Sequence, residues 1–296
     1  MDSDIDRQLP RADEIFLDHV SHFVSGEAAS RALARAGFAP TPISVQFSPD
    51  PDGGTPRLAG TSNVTTMFAG GYVEVVFKTS DTPLTREFDA ALARHPGVHI
   101  VAFAEADAAA ARRRLADSGF RVRPLVEMQR PVDTGGKPAT AAFSIARVEA
   151  GEMPEGRIQI LTHHTESVVW QPRWLSHPNG ARALTRILVA VADVAEAARR
   201  FGRFTGRAPA PMSFGETIEL DRGRVDLLAA DEFARLLPEV AIPSLPFVGA
   251  YGIRVKSLTL ATELLMRAGL SVRQRDRDLI AIFPADLGHG AWLFTE

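Results

Sequence analysis

The chain has 296 residues, a formal net charge of -3 at pH 7 and 45% hydrophobic residues, enough to bury one large or two ordinary cores. The acidic balance offers no basic face to offset phosphates, so nucleic acid is not an expected partner. The absence of cysteine excludes disulfides and thiolate metal sites, leaving His, carboxylate and amide oxygen as the available ligands.

Met1-Asp-Ser-Asp-Ile-Asp-Arg7 is acidic and polar rather than basic then apolar, and no apolar run approaches the ~20 residues that span a bilayer. The expectation is a cytoplasmic protein with no membrane partner and a small molecule as its substrate, a homodimer being left open. The first regular element is Phe16–Val24, an apolar strand that carries two histidines. By the period-2 rule Leu17, His19 and Ser21 share one face and His22 points to the other. After Ser25-Gly26, residues 27–38 favour a helix with Gly37 as its stop. Residues 39–59 read as a loop-rich rim around the short strand Ile43–Phe47. Two strands follow, 60–68 and Tyr72–Phe77, joined at Gly70-Gly71. The last of these puts Tyr72 and Glu74 on one face among β-branched neighbours.

The pattern then restarts. A helix at 84–94 leads to the strand Val98–Ala104, a helix over 107–120 ending in a second Gly-Phe, and strands at 125–130, 140–148 and 156–164. Aligning the two Gly-Phe stops sets His99 opposite His19, and matching Gly71-Tyr-Val-Glu74 to Gly156-Arg-Ile-Gln159 sets Gln159 opposite Glu74, with His163 on the same strand face. Residues 166–181, with two tryptophans, two prolines and Asn179-Gly180, read as a connector. Beyond it the scheme recurs twice, starting from Thr185–Ala192 and Tyr251–Val255, with helices that end near Gly206 and Gly269. Self-similarity of this kind must be settled before any fold assignment.

A strand, helix and three strands, repeated in pairs, with His near the start of the first strand and Glu on the last, resembles the vicinal oxygen chelate superfamily, most closely its glyoxalase-like branch. The resemblance rests on Leu17-Asp-His-Val20, Gly60-Thr-Ser-Asn63, Gly71-Tyr-Val-Glu74, Thr162-His-His-Thr165 with Trp170, and His177-Pro-Asn-Gly180. It implies an α+β fold of four βαβββ modules in two paired-module domains, 1–178 with a metal cup and 179–296 degenerate. It also implies a divalent metal (Fe, Mn, Zn, Ni or Co) held by His19, Glu74, His99 and Gln159. Under the same alignment the second pair offers Arg186, Asp226, Gly249 and Leu293, which could not hold an ion, and seven of the eight histidines lie at or before His177.

The implied chemistry is Lewis-acid activation of a small molecule with adjacent oxygen groups, of isomerase or lyase type. Gln159 cannot take a proton as a carboxylate would, so His163 or Tyr72 is the expected acid or base, with Asn63 and Arg130 as substrate contacts. Two other readings stand beside it. One is an Fe(II) extradiol-type dioxygenase. The other is a binding or sequestering protein without catalysis, in which His19 would be paired to protein groups.

Overall fold

A computed structural model describes residues 7–48 and 56–296. Met1 to Asp6 and 49–55, which belong to the acidic start and the loop-rich rim, lie outside the described residues. Four βαβββ modules follow one another. The first holds β1 (Phe16–Val24), α1 (Ala28–Arg35), β2 (Ser44–Ser48), β3 (Arg57–Met67) and β4 (Tyr72–Lys78). After α2 (Arg86–Arg94) come β5 (Gly97–Ala104), α3 (Ala108–Asp117), β6 (Val126–Asp133), β7 (Pro138–Arg147) and β8 (Arg157–His163). The connector holds the short helix α4 (Glu166–Val169) and one 3-10 turn, Pro172–Trp174.

The third module is β9 (Ala181–Val191), α5 (Val194–Thr205), β10 (Ala210–Met212), β11 (Gly215–Glu219) and β12 (Arg224–Ala229). Following α6 (Ala230–Leu236), the fourth is β13 (Phe247–Val255), α7 (Leu258–Arg267), β14 (Val272–Arg275), β15 (Asp278–Ile282) and β16 (Ala291–Thr295). Each pair of modules makes one eight-stranded sheet, in the orders β2-β3-β4-β1-β5-β8-β7-β6 and β10-β11-β12-β9-β13-β16-β15-β14. The first strands of the paired modules lie antiparallel at the sheet centre, and each also runs parallel to the last strand of its own module. In the first sheet the edge strands β2 and β6 come into contact, which curls the sheet into an incomplete barrel. The α+β fold of paired βαβββ modules is therefore as the resemblance implied. Among the described residues no helix is long and apolar enough to cross a membrane.

The module helices cover the convex faces. Ala29 and Leu33 of α1, Ala111 and Leu115 of α3, Phe201 and Phe204 of α5, and Leu265 of α7 share one buried cluster with Leu17, Val20, Ile187 and Trp292. The two sheets thus pack back to back through a common core, and their concave faces point away from it.

One local device repeats in every module. The central strands carry a bulge at Asp18, His99, Thr185 and Gly249, each skipped in the pairing across the sheet centre. Bulges re-aim the side chains beside them, and so Leu17 falls in the back core while His19 faces the cup, against the simple alternation that put both on one face. Each bulge is packed by a glycine at the start of the module's last strand. At Gly71, Gly156 and Gly290 the φ values are 76°, 153° and 139°, and an added Cβ would lie 2.6, 2.5 and 2.6 Å from the carbonyl oxygens of Asp18, His99 and Gly249. Gly223 takes the same place in the third module, 3.3 Å from the Thr185 oxygen and 2.7 Å from Leu17. Only glycine accepts both the positive φ and the approach.

Candidate active site

The bulges set the register of the site. His19 pairs with Tyr72 on β4 and Ala102 on β5, and Ser21 pairs with Glu74 and Ile100. In the second module Ile100 pairs with Arg157 and Ala102 with Gln159. Glu74 and Gln159 therefore occupy equivalent positions, as the matched Gly71 and Gly156 required. His19, however, is equivalent to Ile100, and His99 is the counterpart of the bulge residue Asp18. Alignment on the Gly-Phe stops was one residue out, and in a strand a one-residue slip moves a side chain to the other face. The same slip affects Gly249, whose place is taken by Ala250.

His99 accordingly leaves the site. Its Nε2–H donates to the His95 carbonyl at 2.7 Å and its ring stacks on that of His95. Burial pushes its pKa down to about 4, so it is neutral and structural. The remaining sequence candidates gather in one cavity of about 370 Å³ inside the first sheet, lined by His19, Tyr72, Glu74, Arg130, Gln159 and His163. Its apolar walls come from Phe23, Val76, Phe88 and Ile100 at one end and Met128, Phe143, Ile145 and Leu161 at the other. Asn63 stands behind the wall, where its amide donates to Glu74.

At the centre is a carboxylate that the sequence reading quoted without assigning it a role. Asp18, fully buried, accepts from His19 Nδ1–H at 2.7 Å and from His163 Nε2–H at 3.1 Å. Burial would raise its pKa, but the charge and hydrogen bonds of His163 and His19 outweigh burial and hold it below the usual carboxylate range. An ionised Asp18 fixes the His19 tautomer: Nδ1 carries the proton and Nε2 keeps its lone pair on the cavity side. The His19 ring is held flat by stacking on Tyr72, with centroids 4.3 Å apart, and Tyr72 in turn meets Trp170 edge-on. Burial first, then the charges of Asp18 and Glu74, push the Tyr72 phenol well above its ordinary value. It stays protonated and keeps its O–H as a donor. Among the described residues, buried His163 Nδ1, Trp170 Nε1 and Arg130 Nε have no hydrogen-bond partner.

The donors that a metal would need are otherwise engaged. Glu74 accepts from Ser21 Oγ at 2.5 Å, from Gln46 Nε2 at 3.3 Å and from Asn63. The side-chain oxygen of Gln159, its only ligating atom, accepts from Arg147 Nε at 3.0 Å. Ile100 at the fourth corner has no donor, and among the described residues no group of three or more His, Asp or Glu could hold an ion. A guanidinium on the ligating oxygen and a hydrocarbon at one corner do not fit a divalent cation, so no step below is routed through one.

In the second sheet the corresponding cup is filled. Phe233 and Leu237 from α6 and the loop after it pack with Leu188, Leu228, Phe247 and Leu293. Arg186, at the position of His19, is paired with Asp278 at 2.5 Å, and Asp226, at the position of Glu74, is held by Thr217 and Arg224. The helix α2, which occupies the same place in the first sheet, supplies only Glu87 and Phe88 to the cavity.

A family model described as a glyoxalase-like domain matches residues 17–205. No curated protein matches the chain. Among solved structures, a hypothetical protein from Staphylococcus aureus is 9% identical with a TM-score of 0.63, covering 95% of this chain and 98% of that one. A mutant 4-hydroxymandelate synthase from Streptomyces coelicolor is 13% identical with a TM-score of 0.56, covering 96% and 93%. The Mn(II)-bound glyoxalase from Novosphingobium aromaticivorans is 12% identical with a TM-score of 0.52, covering 97% and 83%. At these identities the likeness shows the fold alone.

Proposed function

The chain belongs to the glyoxalase-like domain family, and on that footing we propose that its first cup catalyses proton transfer on a small molecule with adjacent oxygen groups, an isomerase- or lyase-type reaction in which His19 is the base. The observation that carries this reading is the buried Asp18 carboxylate on His19 Nδ1, which leaves Nε2 as the basic atom toward the cavity. An oriented imidazole beside a carboxylate is a competent general base. His19 Nε2 takes a proton from the carbon next to a carbonyl. The C–H electron pair moves to the carbonyl oxygen, and the phenol of Tyr72, kept protonated by burial, donates a hydrogen bond to the enolate oxygen. For isomerisation the hydroxyl proton of the enediolate passes to the first oxygen and the imidazolium returns its proton to the former carbonyl carbon. For elimination the imidazolium protonates the group that leaves the neighbouring carbon as the carbonyl re-forms. Asp18 stabilises the charged ring in between. His163, on the second Asp18 oxygen, shares that carboxylate and positions it.

The test is hydrogen exchange. Small α-hydroxycarbonyl compounds incubated with the protein in D2O should exchange the C–H next to the carbonyl, followed by proton NMR, and His19→Ala should abolish the exchange while retaining the wild-type circular dichroism. Exchange that persists in His19→Ala removes His19 from the role. A binding protein without catalysis is the second reading, favoured by Glu74 and Gln159 both being tied to protein partners. It expects ligand binding with no exchange in any variant.

A further inference from the structure

Four arginines line the cavity, and they differ in how their charge is met. Arg157 donates to Glu87 at 2.9 Å, and Arg123 reaches Glu87 at 3.2 Å and Glu149 at 3.3 Å. Those two are neutralised by protein. Arg130 and Arg147 are not: Arg130 lies by the Tyr72 phenol with its buried Nε unpaired among the described residues, whereas at the other pole Arg147 Nε donates to the neutral amide oxygen of Gln159 and its terminal nitrogens have no hydrogen-bond partner among the described residues. Burial, with the charges of Arg157 and Arg123 adjacent, outweighs the attraction of Glu87, which is already paired with those two arginines, and pushes the Arg147 guanidinium down to about 10, as for a buried cation with no carboxylate of its own. Such a group is costly to keep unless something pairs with it. Because the Gln159 oxygen faces Arg147, its NH2 is the end left for the cavity.

Gln159 pairs with Arg147 on β7 and with Ala102 on β5, which in turn pairs with His19. The free guanidinium edge and the free amide thus lie in the same cross-strand row as the proposed base, on the far half of the sheet. Between these two poles the walls are apolar, with Ile100, Ile145 and Leu161 among them.

We propose that the ligand of the first cup is a carboxylic acid with an apolar body, its carboxylate held by the guanidinium of Arg147 and the side-chain NH2 of Gln159. The inference rests on reading this cup as a small-molecule site and adds the class of molecule. A planar two-oxygen anion matches one guanidinium edge and one amide. A phosphate carries more charge than one open guanidinium meets, since Arg157 and Arg123 are already paired with Glu87 and Glu149. The carboxylate supplies the counter-charge that the fold withholds from Arg147, and its apolar remainder reaches toward His19.

The experiment titrates the full chain by calorimetry with phenylacetate, 3-phenylpropionate and 4-phenylbutyrate, with the amide of each, and with phenyl phosphate. At least one acid should bind about tenfold or more tightly than its amide, and Arg147→Met should erase that ratio while Arg147→Lys keeps part of it. If no acid is preferred to its amide, if Arg147→Met leaves the preference intact, or if phenyl phosphate is the tightest ligand, the proposal is overturned. Should Arg147→Met fail to fold, the wild-type ratio and the Arg147→Lys variant decide. The two readings separate in His19→Ala, which should lose exchange and keep the preference for acids. Acid binding without exchange in the wild type removes the base and keeps the clamp. Exchange of neutral carbonyls by a cup indifferent to acids removes the clamp and keeps the base.

Discussion

Asp18→Asn tests the centre of the site most directly, because it preserves shape and removes charge. In the wild type the carboxylate accepts two imidazole N–H groups, at 2.7 and 3.1 Å. Hydrogen bonds to a charged group contribute about 1.5–3 kcal/mol each, and a neutral one about 1 kcal/mol. An asparagine offers one oxygen to His163 Nε2–H, and its NH2 faces His19 Nδ1, which accepts from it once that ring switches tautomer, so two bonds of neutral strength remain. Relief from burying a charge offsets part of the loss, and a net destabilisation of about 1–3 kcal/mol follows. For a chain of this size that lowers Tm by about 2–5 °C. The sign of the pH dependence is fixed as well. The Asp18 pKa is depressed in the fold, so its stabilisation is fully present above the unfolded value of about 3.8 and is lost as pH falls through the lower folded value. The gap between wild type and variant should therefore be full at pH 7 and close in acid. Exchange should drop about 100-fold or more, since the wrong tautomer of His19 would be favoured. Denaturant melts at pH 7 and D2O exchange measure both effects. A variant within about 0.5 kcal/mol of wild type, a difference typical of surface substitutions, would refute the reasoning.

Four other outcomes are expected. Tyr251→Phe should destabilise by about 2–4 kcal/mol in denaturant melts, because the Tyr251 hydroxyl accepts from Trp292 Nε1 at 2.7 Å and donates to His22 Nε2 at 3.0 Å, and both partners would be left buried and unpaired. His22, held at about 4 by burial, stays neutral in the fold. Its contribution is whole above the unfolded value of about 6.5 and is lost as pH falls toward 4, so wild type should lose about 3 kcal/mol over that window relative to His22→Gln in the same melts. Gly156→Ala, which sets a Cβ 2.5 Å from the His99 oxygen at a φ of 153°, should cost about 2–5 kcal/mol in denaturant melts, while Gly119→Ala, with open space around it but a φ of 87°, should cost only about 1–2 kcal/mol. Phe233→Ala should open a cavity in the second cup and destabilise by about 3–5 kcal/mol without altering D2O exchange in the first.

Much of the architecture was legible because its signals are local. Each module announces itself by an alternating strand, a helix and a Gly stop, and four repetitions fix the pairing of modules. The matched glycines Gly71 and Gly156 gave the equivalence of Glu74 and Gln159 correctly, since each glycine marks a fixed point against a bulge. The bulges themselves have no such signature. Asp18, His99, Thr185 and Gly249 share no residue type, so neither the flip that separates Leu17 from His19 nor the slip that displaces His99 could be read. The helix α6 was missed as well, although an acidic first turn at Asp231 and Glu232 and the i, i+4 pair Phe233 and Leu237 would have found it. Arg147 could not have been singled out from sequence, because what distinguishes it from Arg157 is only the absence of a facing carboxylate.

The four modules share one scaffold, and what differs at the bulge decides what the cup can do. With glycine at the bulge and alanine after it, as in Gly249-Ala250, the last module offers no polar group, and Phe233 and Phe247 close over the place; the third module's Arg186 is neutralised by Asp278. With His99-Ile100 the bulge histidine turns to the His95 carbonyl and hydrocarbon faces the cavity. Only Asp18-His19 sets a buried acid directly behind a ring whose other nitrogen looks into the cup. Two adjacent residues in an ordinary strand would point to opposite faces, so an Asp-His dipeptide could not form such a pair there. The extra residue makes it possible, and Gly71 maintains the geometry by leaving room for the Asp18 carbonyl. The proposed base and its orienting acid are thus a consequence of one inserted residue in β1, and Gly71→Ala should weaken D2O exchange more than stability alone accounts for, shown by a reduced exchange rate at temperatures where circular dichroism reports a fully folded chain.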